Sequence, residues 1–449
     1  MKHILIILIT IFIFVSKNSF ASGIGLIRDS QTEDFLYKIT LPLIKAAGLN
    51  EKDIKIYIVN DSNINAFVYA GQNIFINSGL ITKYNDPNVL KGVIAHEIGH
   101  IVGGHLARGH EAMKDVSNIA ILSYLAGIVA AIAADSDAGY AILMGSNHVA
   151  QRLAVKHTRT QEESADKLAL DILHKTNESP SGLMELLTYF NAQESEYKNL
   201  IDEYALTHPV SQKRINYIKA NLSKFKNSKK IDPKIILEMR YVTAKLKAFL
   251  QDSDESLKYF NSKNPFDRYG LTIAYFKKGK LEKSLFEINE LIKEQPTNGY
   301  FHELKGQILF ENGLTKEAIK SYKTSIKLLP NPVLAKISLS SAILTLNSND
   351  KDLVNFAIKN LNEAKIKENS NGQIFKELSI AYQKIGKKGK SYLALSELNL
   401  LKKDNKKSRK YAKRALEELD KNDKSSIIKA NDILKTTKDE KSEGSNEEN

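Results

Sequence analysis

From Gly279 onward the sequence repeats itself, for Gly279 and Gly313 stand 34 residues apart and so do Pro296 and Pro330. The segment Tyr275-Phe276-Lys277-Lys278-Gly279-Lys280-Leu281 aligns with Leu309-Phe310-Glu311-Asn312-Gly313-Leu314-Thr315. A period of this length fits two helices joined by a tight turn. Such a unit has an apolar face that only the next unit can bury, so the copies must stack into an all-α solenoid. Further on, Ile380-Ala381-Tyr382-Gln383-Lys384-Ile385-Gly386-Lys387 echoes Ile273-Ala274-Tyr275-Phe276-Lys277-Lys278-Gly279-Lys280 at an offset of 107 residues, three periods plus five. That excess predicts an insertion near Asn347 to Lys351. About four helical hairpins are expected over 233–420, the first and last degenerate. The tail 436–449, rich in Glu, Lys, Ser and Asn, buries nothing and is expected to be disordered.

The first half carries no such period, and 449 residues exceed one ordinary core, so a separate domain over 22–222 is expected. The chain opens with Met1-Lys2-His3, an apolar run from Ile4 to Val15 and then Ser19-Phe20-Ala21. That is the pattern of a signal peptide over 1–21, cut after Ala21; an uncleaved anchor is the competing reading, although the run is short for a span. No cysteine occurs, which removes thiolate ligands, disulfides and a cysteine nucleophile. Residues 1–220 carry 20 Lys/Arg against 22 Asp/Glu, and 221–449 carry 45 against 30. The basic excess of the second half lies along helical stretches without interleaved stacking aromatics. It reads as a solvated helical face, and nucleic acid is not an expected partner.

Within the first half, Phe35, Ile39, Leu43 and Ile44 have helical spacing in a segment from Ser30 to Gly48. Ile54 to Val59 and Asn73 to Gly79 read as strands. Asp86-Pro87 announces a helix, with aspartate at the cap and proline at the first position, that ends near Gly103-Gly104. Gly92 and Gly99 inside it each cost about 1 kcal/mol relative to alanine, so something must pack close there; the strand Ile74 to Ile76 is the expected neighbour. A second helix is expected from Thr160, with Thr160 and Glu163 at the spacing of a capping box. The apolar stretch 119–144, interrupted at Asp135 to Gly139, reads as a buried helical hairpin, with a mobile lid or a peripheral membrane contact as alternatives.

The first helix carries His96-Glu97-Ile98-Gly99-His100. Histidines four apart lie on one helical face and can bind one metal ion, and the glutamate between them can take a proton from an attacking water, which points to zinc-dependent peptide hydrolysis. A further histidine six residues beyond the second would complete a three-histidine set, but Leu106 stands there. Glu162 is the better third ligand, since it opens a helix and has Asp166 one turn later, able to accept a hydrogen bond from a liganding imidazole. His105 and His110 are out of register and read as surface or supporting residues. The strand residues Asn73, Ile74, Phe75 and Ile76 are expected to form an edge that an extended substrate joins through its backbone.

Three segments resemble the gluzincin family that includes CAAX prenyl proteases and heat-shock membrane proteases. They are His96-Glu97-Ile98-Gly99-His100 followed by His105, Arg159-x-x-Glu162-x-x-Ala165-Asp166, and Asn65-Ala66-Phe67 ahead of Gly71-Gln72-Asn73-Ile74-Phe75. The resemblance covers roughly 30–216 and implies an α+β, mostly helical protease domain with a small sheet. It also implies one Zn²⁺ held by His96, His100 and Glu162, with Glu97 as general base. The 34-residue repeat resembles the tetratricopeptide repeat in architecture. Together with a signal peptide and no multi-span membrane domain, it makes the chain most similar to a periplasmic member of the family in Gram-negative bacteria. The resemblance implies unfolded or stalled envelope polypeptides as substrates and the outer-membrane protein assembly machinery as a partner of the repeats. The alternative is a repeat scaffold or chaperone with a largely silent protease domain. Thr207-His208-Pro209-Val210 and Arg214-Ile215 also resemble the family, with a histidine near the metal. His208 stays open between stabilising an oxyanion, capping the zinc as a fourth ligand, and an ordinary loop role; Arg214 shares the first two possibilities.

Overall fold

The computed structural model describes residues 25–69, 71–105, 158–196, 207–346 and 350–437. The expected signal peptide 1–21, the apolar segment 119–144 and the tail from 438 lie outside the described residues. No helix among the described residues is long and apolar enough to cross a membrane.

The first half assembles around a small sheet. Strand β1 (Leu26–Ile27) is followed by α1 (Ser30–Ala46), β2 (Lys55–Val59), β3 (Ala66–Tyr69), β4 (Asn73–Asn77), α2 (Ser78–Lys83) and α3 (Pro87–Val102). Asp29 caps α1 by accepting from Thr32 N at 2.8 Å, and the helix buries Phe35, Leu36, Ile39, Leu43 and Ile44. Gly48 leaves it at φ +71°, a conformation that costs a side-chain-bearing residue. The sheet order is β1-β2-β4-β3, with β2 parallel to β4 and the outer pairs antiparallel. The expectation that Asn73, Ile74, Phe75 and Ile76 form an edge is therefore wrong. β4 is paired on both sides, which is why its apolar residues run without alternation and are buried. The edge strand on that side is β3, and its Ala66, Phe67 and Val68 are themselves buried.

Helix α3 starts as its sequence demands, with Asp86 accepting from Asn88 N at 2.8 Å and Pro87 in the first turn. It is buried on nearly every face: Val89, Leu90, Val93, Ile94 and Ile98 lie in one core with α1 and the sheet. Its inner glycines meet helices, not the strand expected beside them. A methyl at Gly99 would stand 2.6 Å from the carbonyl oxygen of Ala165 in α4 (Arg159–Lys175), and one at Gly92 2.7 Å from Leu183 N in α5 (Ser181–Glu196). The glycines thus let three helices approach at backbone distance. The cap of α4 also differs from the expected one. Thr158 accepts from Gln161 N, and the Gln161 side chain accepts from Thr158 N at 2.8 Å. Glu163 faces outward to Lys213 at 2.8 Å. Sequence spacing matched a capping box two residues late, since Thr158 and Gln161 satisfy the same pattern. Helix α6 (Gln212–Asn221) completes this half.

Helix α7 (Pro233–Leu250) belongs to both halves. Met239, Val242 and Leu246 join the first core, while Tyr241, Ala244 and Ala248 open the next one. Eleven helices follow: α8 (Ser253–Tyr259), α9 (Pro265–Lys277), α10 (Leu281–Glu294), α11 (Gly299–Glu311), α12 (Thr315–Leu328), α13 (Val333–Thr345), α14 (Lys351–Lys367), α15 (Gly372–Lys384), α16 (Lys388–Leu401), α17 (Asn405–Glu418) and α18 (Lys424–Thr436). Among the described residues six helical pairs thus stand over 233–436, where about four were expected over 233–420. The Gly marker that sequence reading relies on sits at positive φ in Gly279, Gly313 and Gly386, but Lys403 (φ +56°) takes the left-handed position between α16 and α17. The pitch is 34 residues from α9 to α11 and from α11 to α13, and 39 from α13 to α15. The five extra residues divide between a longer connection after Thr345 and a longer α14 (17 residues against 14 for α10 and α12).

The helical array curls back onto the first half. Tyr269 donates to Gln31 at 3.0 Å, Tyr300 to Asp34 at 2.8 Å, and Arg28 to Glu368 at 2.7 Å, so α1 and the residues just before it touch three successive units.

Candidate metal centre

His96 and His100, one turn apart on α3, direct their Nε2 atoms to one point, 3.1 Å from each other. The contact at Gly99 brings the first turn of α4 against this face, and Glu162 enters it with Oε1 3.2 Å from His100 Nε2 and Oε2 3.3 Å from His96 Nε2. From the segment before α6, His208 places Nδ1 3.2 Å from Glu162 Oε1. All four side chains are buried, and one donor atom from each lies within 4.8 Å of the others. Ligands about 2.1 Å from a tetrahedral zinc sit about 3.4 Å apart, so the spacing of His96, His100 and Glu162 fits the ion.

The far nitrogen of each imidazole is also engaged. Asp166 Oδ1 is 3.0 Å from His96 Nδ1, His105 Nδ1 is 2.9 Å from His100 Nδ1, and His208 Nε2 donates to the Ala66 carbonyl of β3 at 3.1 Å. These partners orient the rings and fix which nitrogen faces the metal. Between the two readings of His105, burial against His100 selects the supporting one. His110 lies outside the described residues. The anchoring carbonyl of Ala66 lies within the segment Asn65-Ala66-Phe67, but a backbone contact of this kind leaves no side-chain signal in the sequence.

Arg214, from α6, is engaged with the carboxylates beside the cluster. Its Nε and Nη2 fork onto Asp166 at 2.7 and 2.9 Å, Nη1 reaches Glu162 Oε2 at 2.7 Å, and Nη1 also donates to the Pro209 carbonyl at 3.1 Å. A buried bidentate pair of this kind positions carboxylates. Helix α6 can deliver it because Ser211 caps the helix three residues earlier.

Charge is sharply divided. Burial alone would raise Glu162, but His208, Arg214 and His96 overcome it and hold the carboxyl well below its ordinary range. Asp166 is also lowered, with burial opposed mainly by Arg214. His96 is held up at about 9: burial disfavours its charge, yet Glu162 and Asp166 prevail, so this position favours a cation. Glu97 behaves oppositely. Burial pushes its carboxyl up despite His208 and His96, and neither oxygen has a hydrogen-bond partner. A dry carboxylate 3.6 Å from His208 is placed to accept a proton.

Comparison with known proteins agrees with this geometry. Residues 30–222 match Peptidase family M48. The chain is 23% identical over 331 residues to the beta-barrel assembly-enhancing protease of Escherichia coli, covering 71% of this chain and 66% of that protein. It is 27% identical over 170 residues to metalloprotease LoiP of the same organism, covering 38% and 62% respectively. It is 24% identical over 184 residues to the mitochondrial metalloendopeptidase OMA1 of Schizosaccharomyces pombe, covering 41% and 51%. The chain thus spans a little under two thirds of the length of the barrel-assembly relative.

Proposed function

We propose that this chain is a zinc-dependent endopeptidase acting on unfolded or stalled envelope polypeptides in the periplasm of a Gram-negative bacterium. Its tetratricopeptide-like repeats would recruit substrate and the outer-membrane protein assembly machinery. The carrying observation is the convergence of His96, His100 and Glu162 beside the buried, unpartnered carboxylate of Glu97. A bound zinc would polarise the scissile carbonyl and make the attacking water more acidic. Glu97, raised by burial, takes the proton of that water and returns it to the departing amine. Asp166 and Arg214 hold the geometry: Asp166 orients His96, and Arg214 keeps Asp166 and Glu162 ionised.

His208 supplies a fourth protein donor. Protein sites with four ligands are closed, whereas catalytic zinc keeps one position for substrate or water. In this reading the conformation seen is a silenced one, and His208 must swing away from Ala66 and Glu162 to open the site. The edge strand β3, to which His208 is tethered, is the backbone an extended substrate would join once it moves.

The name of the Escherichia coli relative, beta-barrel assembly-enhancing protease, supports an envelope setting, and the apolar start of the sequence supports export with cleavage near Ala21. The test is cleavage of an outer-membrane barrel protein in unfolded and folded form, with chelation by 1,10-phenanthroline and restoration by Zn²⁺. Cutting of the unfolded form alone, lost and regained with the metal, is expected. Cutting that survives chelation would overturn the reading.

A further inference from the structure

The sheet has a second exposed edge, away from the metal. Strand β1 covers β2 only at Ile58 and Val59, so Lys55, Ile56 and Tyr57 offer a strand edge that no strand among the described residues covers. Asn60 N donates outward to Gly25 O at 2.7 Å, which sets the parity: the backbone groups of Ile56, like those of residue 60, point away from β4. This edge opens into a cleft of about 1520 Å³ between the first half and the turns of the helical array.

Its walls indicate what it can hold. α1 and α7 contribute Tyr37 and Leu237, 46% and 41% exposed, as apolar footholds. The opposite wall is formed by the turns at Gln295 to Asn298, Leu329 to Asn331 and Glu368 to Asn371. Lining cations and anions are balanced, and several are paired with each other, as in Arg28 with Glu33 and Glu368, and Lys38 with Glu238. A polyanion finds no excess positive charge here. The volume exceeds the roughly 300–1,000 Å³ of small-molecule pockets. An open strand edge, scattered apolar footholds and no net charge suit one ligand class: an extended polypeptide read through its backbone.

We propose that the cleft between the β2 edge and the helical turns is an exosite that holds an extended segment of an unfolded polypeptide. This rests on the reading of the chain as a protease of unfolded substrates. β2 and β3 lie two strand spacings apart, about 10 Å, with β4 between them. A segment held in the cleft is therefore separate from the segment at the metal. The exosite tethers one part of a chain and presents another, favouring long substrates over short peptides.

The probe is fluorescein-labelled, reduced and carboxymethylated α-lactalbumin, with binding read by anisotropy on the full chain carrying Glu97→Gln, so that no cleavage is needed. Tyr37→Lys with Leu237→Lys should weaken binding about tenfold or more. Phe286→Lys, on an exposed site outside the cleft, should leave it unchanged. In the active protein the same pair should raise KM for the long substrate and leave kcat/KM for a tetrapeptide as it was. As a readout free of folding effects, hydrogen exchange of the Glu97→Gln protein should show the Ile56 amide protected when the probe binds. Equal affinity in the paired variant, or no protection at Ile56, overturns the exosite. Binding with no cleavage by the parent protein would instead overturn the protease reading and leave the exosite standing.

Discussion

Helix α3 and the repeat helices bury polar groups in opposite ways. In α3 and its neighbours, His96, Glu97, His100, Glu162, Asp166, His208 and Arg214 are all fully buried, and all but Glu97 are joined by hydrogen bonds or ion pairs within 3.3 Å. In the repeats the buried polar groups are mostly small hydroxyls spent on packing. Ser284 donates to the Thr272 carbonyl at 2.8 Å, Ser391 to Ser379 at 2.8 Å, and Ser396 to Ser408 at 2.8 Å, each across a helix pair. A hydroxyl bonded to a backbone carbonyl lets two helices sit close at little desolvation cost. A cluster of charges is costly to bury unless it does chemistry or holds an ion. The contrast places the buried charged cluster in the first half and close hydroxyl-mediated helix packing in the second.

Substitutions can break that contrast. The largest effect is expected at the ligands: His96→Ala should remove the metal, measured as zinc per chain, and lower cleavage at least about 10³-fold. His208→Ala should act the other way, raising cleavage of an unfolded substrate on the order of tenfold by opening the fourth position; a fall would mean that His208 assists the reaction. Gly99→Ala forces a methyl onto the Ala165 carbonyl and should destabilise the first half by about 3 kcal/mol in denaturant unfolding, with loss of zinc. The corresponding change in the repeats, Gly313→Ala, meets open space at φ +79°, so it should cost only about 1 kcal/mol and spare the metal.

The junction between the halves carries a pH dependence. Burial pushes Glu303 up to about 7 against the pull of Lys245, and Asp34 up to about 6 against its bond from Tyr300. Folded carboxyls with raised values bind protons that the unfolded chain releases. Their contribution is therefore complete below about pH 4.5 and lost as pH rises through about 7. Glu303 Oε1 accepts from Ser30 at 2.7 Å while Oε2 has no partner, so Glu303→Gln should flatten this slope, by about 2 kcal/mol between pH 5 and 8 in unfolding experiments. An unchanged slope would place the proton uptake elsewhere.

The metal site was legible because its spacing is dictated by helical geometry: His96 and His100 lie one turn apart, and Glu162 and Asp166 one turn apart on a second helix. The repeat period was legible for a similar reason, since Gly279 and Gly313 each close a tight left-handed turn. Failures came where pairing across the chain decides the outcome. β4 reads as an edge from its own residues, but the strands on its two sides are set by long-range pairing. Gly92 and Gly99 announce a close neighbour without naming it, and the neighbours are helices 91 and 66 residues away, at Leu183 and Ala165 respectively. Arg214 was marked by its motif, yet its role depends on Asp166 and Glu162 meeting it from another helix.

The most direct test of the central claim measures zinc content and cleavage in the same preparations of the parent chain and of Glu97→Gln. The account predicts about one zinc per chain in both, with an unfolded barrel protein cut only by the parent. A Glu97→Gln protein that still cuts, or a parent that cuts without holding zinc, would contradict it.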